Sequence, residues 1–179
     1  MDELTAVMSA NTQIFYKDGK EISRWTYNEN GTIKKEGKKI NGIVRMYHPA
    51  GMLSSEMTYK NGDLNGRYLL LSEQGKIEEE GSFKNNDLHG IWKQYAETAS
   101  VKIEGPFKDG KRNGLFRLYY PGGMLQEEET YINGQLDGYV RGYFDTGRLE
   151  TEAYYRKGKL LSLKTFNADG TLNKEDKYK

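Results

Sequence analysis

The 179-residue chain carries 27 basic and 26 acidic side chains, a net charge of +1, and no cysteine. That excludes disulfides, thiolate metal sites and a cysteine nucleophile, and it removes the cationic field expected of a general nucleic-acid binder. The apolar fraction is only 36%, but 14 Tyr, 6 Phe and 2 Trp are too many for a solvated coil and suit half-buried strands.

Residues 1–13 carry no repeat signal and read as a frayed start or a short cap. They lack the apolar core of a secretory leader, so the expectation is a cytoplasmic protein. No apolar run is long enough to span a membrane as a helix. From Ile14 onward the chain repeats. Residues 14–42 form a partial, shortened section, in which Tyr16-Lys17-Asp18-Gly19 parallels Tyr131-Ile132-Asn133-Gly134. Five full units follow, at 43–66, 67–90, 91–114, 115–138 and 139–162. A partial copy occupies 163–172, one residue short of register. Residues 173–179 read as a solvated tail. The closing glycines Gly42, Gly66, Gly90, Gly114 and Gly138 recur every 24 residues, a period that marks a repeat architecture.

The columns define each unit. Gly51, Gly75, Ala99, Gly123 and Gly147 close a first turn. Leu53, Ile77, Val101, Leu125 and Leu149 open a second strand, and Tyr59, Phe83, Phe107, Tyr131 and Tyr155 end it. Asn61-Gly62, Asp109-Gly110 and Asn133-Gly134 supply the positive φ of tight hairpin turns. Leu64, Leu88, Leu136 and Leu160 follow, with Arg112 as the exception. No segment shows a sustained 3.6-residue apolar stripe. The expectation is therefore an all-β fold: an elongated antiparallel β-hairpin repeat solenoid, forming a twisted open sheet or trough. Short links would join one hairpin to the next. Trp92 and Phe116 read as core.

Three polar features could carry function. Glu56, Glu80, Glu104, Glu128 and Glu152 form an acidic column, either a ladder for a cation or basic partner, or strand positions paired with the neighbouring basic column. That column is Arg45, Lys93, Arg117 and Arg141, broken by Leu69. Tyr47, Tyr95, Tyr119 and Tyr143 alternate with it. These eight basic and tyrosine residues are the candidate partner-binding surface, because Tyr and Arg are enriched in interface hot spots; alternatively the tyrosines pack together as a structural ladder. His48 and His89 are the only histidines and sit at turn positions, which leaves little from which to build a triad or zinc site. No enzyme, metal or cofactor is expected.

The pattern Tyr-x-x-Gly-x-Leu-x-x-Glu-x-x-Tyr-x-Asn-Gly-x-Leu-x-Gly, with Leu88-His89-Gly90 as one copy of its ending, resembles the MORN repeat in its bacterial variant form. It is similar to the YwqK-type antitoxins of toxin–antitoxin loci. That resemblance implies a hairpin solenoid that binds another protein, here a toxin encoded nearby. A structural scaffold or membrane-surface adaptor is the alternative. The near-zero charge argues against nucleic acid and against an anionic membrane surface. An open sheet edge offers a route to an edge-to-edge homodimer.

Overall fold

The computed structural model describes residues 4–178, which form strands and turns and no helix. Residues 1–3 of the lead-in and Lys179 lie outside the described residues. The chain divides into two compact units, the first ending at Asn86 and the second starting at Asp87.

Unit 1 contains β1 (Leu4–Ser9), β2 (Thr12–Lys17), β3 (Lys20–Tyr27), β4 (Ile33–Gly37), β5 (Gly42–Tyr47), β6 (Leu53–Lys60), β7 (Asp63–Leu71) and β8 (Ile77–Lys84). Their order is β4-β3-β2-β1-β5-β6-β7-β8. All neighbours are antiparallel except β1 and β5, which run parallel through Leu4↔Val44 and Thr5↔Arg45. Residues 4–9 of the lead-in are thus a paired strand. Within residues 14–42, β2, β3 and β4 join β1 in a four-stranded cap.

The cap makes a core because it curls over the strands that follow. Trp25 of β3 lies 5.6 Å from the Tyr59 ring of β6, although three strands separate them in the sheet order, and Phe15 of β2 touches both, at 4.5 and 5.9 Å. Ala6, Ile40 and Val44 complete this buried cluster. Lys35 extends from β4 to donate to the Gly62 carbonyl at 2.7 Å, and its ammonium sits 4.1 Å from the centre of the Trp25 ring.

Unit 2 contains β9 (Asp87–Leu88), β10 (Gly90–Tyr95), β11 (Val101–Lys108), β12 (Lys111–Arg112), β13 (Gly114–Tyr119), β14 (Leu125–Ile132), β15 (Gln135–Tyr143), β16 (Leu149–Arg156), β17 (Lys159–Phe166) and β18 (Leu172–Lys177). From β10 onward it is an antiparallel meander, with β11 pairing both β12 and β13. The expected solvated tail is instead β18, paired with β17 from Phe166↔Leu172 to Ser162↔Lys177. Its polarity suits an outer strand, which supplies main-chain bonds to one neighbour and keeps charged side chains in water. The sheet is open: among the described residues, β4 has a strand only on its β3 side, and β18 only on its β17 side.

The tight turns form as their sequence requires. Asn61-Gly62, Asp109-Gly110 and Asn133-Gly134 all have positive φ at both residues. The closing-glycine column behaves differently from expectation. Gly66 and Gly138 lie inside β7 and β15, with φ near +127° and +129°, so the strand continues where a link was expected. A Cβ at Gly66 would stand 2.8 Å from Thr58 Cγ2, and one at Gly138 2.9 Å from Thr130 Cβ. The register shifts beside both contacts. These glycines therefore make β-bulges, where one strand gains residues against its partner and the sheet twists more sharply.

Candidate protein-binding surface

Strand alternation places the candidate cations and the acidic column on one face, and the register then interleaves them. In unit 2 the cross-strand partners run Lys93↔Glu104, Glu104↔Arg117, Arg117↔Glu128, Glu128↔Arg141, Arg141↔Glu152, Glu152↔Lys164 and Lys164↔Glu175. One file of strictly alternating charge therefore crosses the unit. Within the hairpins the ions meet directly: Lys93 Nζ to Glu104 at 3.4 Å, Arg117 Nε to Glu128 at 3.2 Å, Arg141 Nε to Glu152 at 2.9 Å. Lys164 Nζ approaches Glu152 from the other side at 3.7 Å.

Between hairpins the tyrosines take over. Tyr119 Oη donates to Glu104 Oε1 at 2.8 Å, and Tyr143 Oη donates to Glu128 Oε2 at 3.0 Å. Burial, and then the adjacent carboxylate, hold both phenols above their ordinary pKa. The hydrogen bond from Arg141 to Glu152 raises the guanidinium further and keeps it charged. Each of these glutamates is thus gripped from two strands. The acidic column is braced by its neighbours, and the described residues contain no group of three or more His, Cys, Asp or Glu able to hold a metal. Tyr119 and Tyr143 of the tyrosine column thus act through hydroxyl-to-carboxylate bonds.

Unit 1 has the same arrangement with a gap. Arg45 Nη2 meets Glu56 at 2.7 Å. Leu69 then stands opposite both Glu56 and Glu80, and Glu80 turns to Arg67 at 2.7 Å. With half-exposed cations, such pairs contribute about 0.2–1 kcal/mol each, so the file fixes register more than it stabilises.

With its charges matched internally, this face offers a partner its clefts. In unit 2 a cleft of about 430 Å³ lies between successive first-turn loops, lined by Tyr95, Tyr119, Tyr120 and Pro121 with Val101 and Lys102. In unit 1 Tyr47 lines a cleft of about 610 Å³ with Val7, Met8, Met46 and Pro49. Val7 and Met8 are more than half exposed. The eight candidates are thus sorted. Tyr47, Tyr95 and Tyr119 border clefts, while Lys93, Arg117 and Arg141 are occupied by glutamates. Tyr143 braces Glu128, and Arg45 is paired with Glu56 and borders a separate basic cavity of unit 1.

Both histidines have structural surroundings. His48 Nε2 donates to the Leu71 carbonyl at 2.9 Å, and Tyr120 Oη makes the equivalent bond to the Tyr143 carbonyl at 2.8 Å. His89 Nδ1 lies 3.5 Å from Asp109.

The opposite face of unit 2 holds a cluster that the columns only half revealed. Phe116 is fully buried between Phe107 and Tyr131, at 5.5 and 5.4 Å. A Cβ on Gly105 would overlap its ring. The Arg112 guanidinium stacks 4.7 Å from the Phe116 ring and 5.2 Å from Tyr131, and bonds Tyr131 Oη at 3.1 Å and Glu129 at 3.4 Å. Arg112 replaces the column leucine. Glu129 stands where other units have Met57, Gly81, Gly105 and Ala153. The signal was two polar departures in apolar columns of neighbouring strands.

Three segments match the MORN repeat variant family: residues 40–61, 64–85 and 112–133. All three span a second strand and end on the first residue of the tight turn after it. A comparison with curated proteins finds no significant match. Repeats of this type suggest a binding module.

Proposed function

We propose that this chain is a non-enzymatic protein-binding module that holds a partner protein through the tyrosine-lined clefts on its charge-matched face. One observation carries the reading: the paired cations and glutamates of that face neutralise one another, so its clefts recognise chiefly through aromatic and apolar side chains, with Glu97 and Lys102 also lining one of them. Tyr, Met and Arg are the residue types enriched at protein interfaces, whereas lysine and glutamate are depleted there. An apolar cleft with a few convergent polar groups is the usual form of a binding site. His48 is engaged with the Leu71 carbonyl and His89 lies beside Asp109, and net charge +1 gives little attraction to nucleic acid or anionic membrane. The finer reading, an antitoxin or immunity-type protein whose partner is a bacterial toxin, rests on the resemblance to YwqK-type antitoxins. A cytoplasmic location accompanies that reading.

Co-expression with the product of the neighbouring reading frame, followed by size-exclusion chromatography, tests it. The expected result is a stable complex whose affinity falls about tenfold or more in Tyr120→Ala, as for a buried aromatic anchor, and less in Met8→Ser. Salt should change the affinity little, because the charges are already paired. A complex that tolerates both variants and dissolves in moderate salt would contradict the cleft reading.

A further inference from the structure

Unit 1 contains a second cavity of different chemistry. It encloses about 660 Å³ where β1 and the loop between β4 and β5 meet, and its lining includes Leu4, Ile22, Ile40 and Ile43 together with Lys17, Lys38, Lys39 and Arg45. Four cations and no carboxylate line it, in a chain whose net charge is +1. Of the nearby acids, Glu21 is committed to Arg24 at 3.0 Å and Glu36 to Lys34 at 2.7 Å, while Glu56 neutralises Arg45 of the lining at 2.7 Å. Lys38 and Lys39 are exposed and have no carboxylate partner among the described residues.

We infer that this cavity docks an acidic, extended segment of a partner protein that also carries aliphatic or aromatic side chains. Charge complementarity selects the acid, because Lys38 and Lys39, side by side on a concave surface and without a carboxylate partner among the described residues, focus a positive field on it. The part-buried Leu4 and Ile22 and the exposed Ile43 select against a bare anion, which would leave them uncovered. The volume falls within the usual range for a ligand pocket, roughly 300–1,000 Å³. An extended main chain also has somewhere to bond. Strand β4 pairs only with β3 and is exposed at every position, and it leads directly into Lys38 and Lys39. An added strand supplies main-chain bonds at such an edge, while pockets read its side chains.

The site belongs to unit 1 and draws on the protein-binding reading only for the kind of occupant. Its test needs no natural partner. A fluorescein-labelled peptide alternating Asp or Glu with Leu or Phe is titrated against the whole chain by fluorescence anisotropy. Two control peptides replace either the acids by lysine or the apolar residues by serine, and inorganic pyrophosphate serves as competitor. The expected result is saturable binding that weakens with salt and is lost with either control. Pyrophosphate should displace it poorly. Lys38→Glu with Lys39→Glu should weaken it about tenfold or more, and Ile43→Ser, at another exposed position, should weaken it as well. Both variants are first confirmed folded by their near-ultraviolet circular dichroism. No binding by the acidic peptide, equal binding of the lysine peptide, full displacement by pyrophosphate, or unchanged affinity in both variants would overturn the inference. Any of these results leaves the clefts' own test, which uses whole partner and Tyr120→Ala, unaffected.

Discussion

The two units solve the same problem with different means. Seven of the nine buried hydrophobic residues among the described residues lie in unit 1: Ala6, Phe15, Trp25, Ile40, Val44, Tyr59 and Tyr68. Unit 2 has only Phe116 and Ala153. In unit 1 strands of the cap fold over strands of the repeat, and two faces bury one another. In unit 2 each strand meets mainly its neighbours in the sheet, so side chains stay half-buried and the cross-strand pair becomes the unit of stabilisation. A regular repeat spreads its stability thinly along nearest-neighbour contacts, whereas the cap concentrates it.

The largest test of this contrast is Phe15→Ala, which removes a fully buried ring from the three-aromatic cluster. It should cost about 3–5 kcal/mol. In urea titrations of Trp92→Phe chains, the midpoint followed by Trp25 emission should fall accordingly. A loss under about 1 kcal/mol would mean that the cap carries no concentrated core.

The second test is alkaline pH. Burial pushes Tyr59 up to about 12 from an ordinary 10.0, chiefly by desolvation. The neutral phenol is the form that the folded state favours. Its contribution is therefore complete below the unfolded value and is lost as pH rises from about 10 toward 12. Thermal stability followed at Trp25 should drop across that window, and Tyr59→Phe should flatten the drop.

A smaller effect is expected from breaking the charged file. In Arg141→Met, Glu128 keeps Tyr143 and Glu152 keeps Lys164. The cost should be about 1 kcal/mol at low salt and less at high salt. A salt-independent loss would point instead to the stacking of Arg141 on Tyr139, at 4.6 Å.

The smallest effect has the opposite sign. Ala99 occupies the first-turn column at φ +63°, where Gly51, Gly75, Gly123 and Gly147 stand in other units. Ala99→Gly should stabilise unit 2 by up to about 1 kcal/mol, read as a raised melting temperature.

The repeat itself was legible because its turns have rigid chemical demands. Asn133-Gly134 admits few conformations other than the one it adopts, and the alternation in β14 left its faces in little doubt. The cap was not legible. Nothing in the order of residues 14–42 announces that Trp25 meets Tyr59, since that contact depends on sheet curl rather than on local pattern. The bulges at Gly66 and Gly138 were hidden because a recurring glycine looks the same whether it ends a strand or bends one. Of the surface, the two charge columns could be read, but not the last two members of the file. Lys164 stands one residue short of its column, at the point where the repeat loses a residue, and Glu175 lies in a stretch so polar that it resembled a tail. The clefts escaped notice because residues from successive loops build them, and a column shows only one position at a time.

The account's central claim is that strands of unit 2 lie side by side in a register that alternates its charges from Lys93 to Glu175. Interstrand proton–proton Overhauser contacts in an isotope-labelled sample measure that register directly. The account predicts an unbroken series linking 93 to 104, 104 to 117, 117 to 128, 128 to 141, 141 to 152, 152 to 164 and 164 to 175. Contacts that join 152 to 165 instead of 164, or a stretch from 172 to 177 with no interstrand contacts, would contradict it.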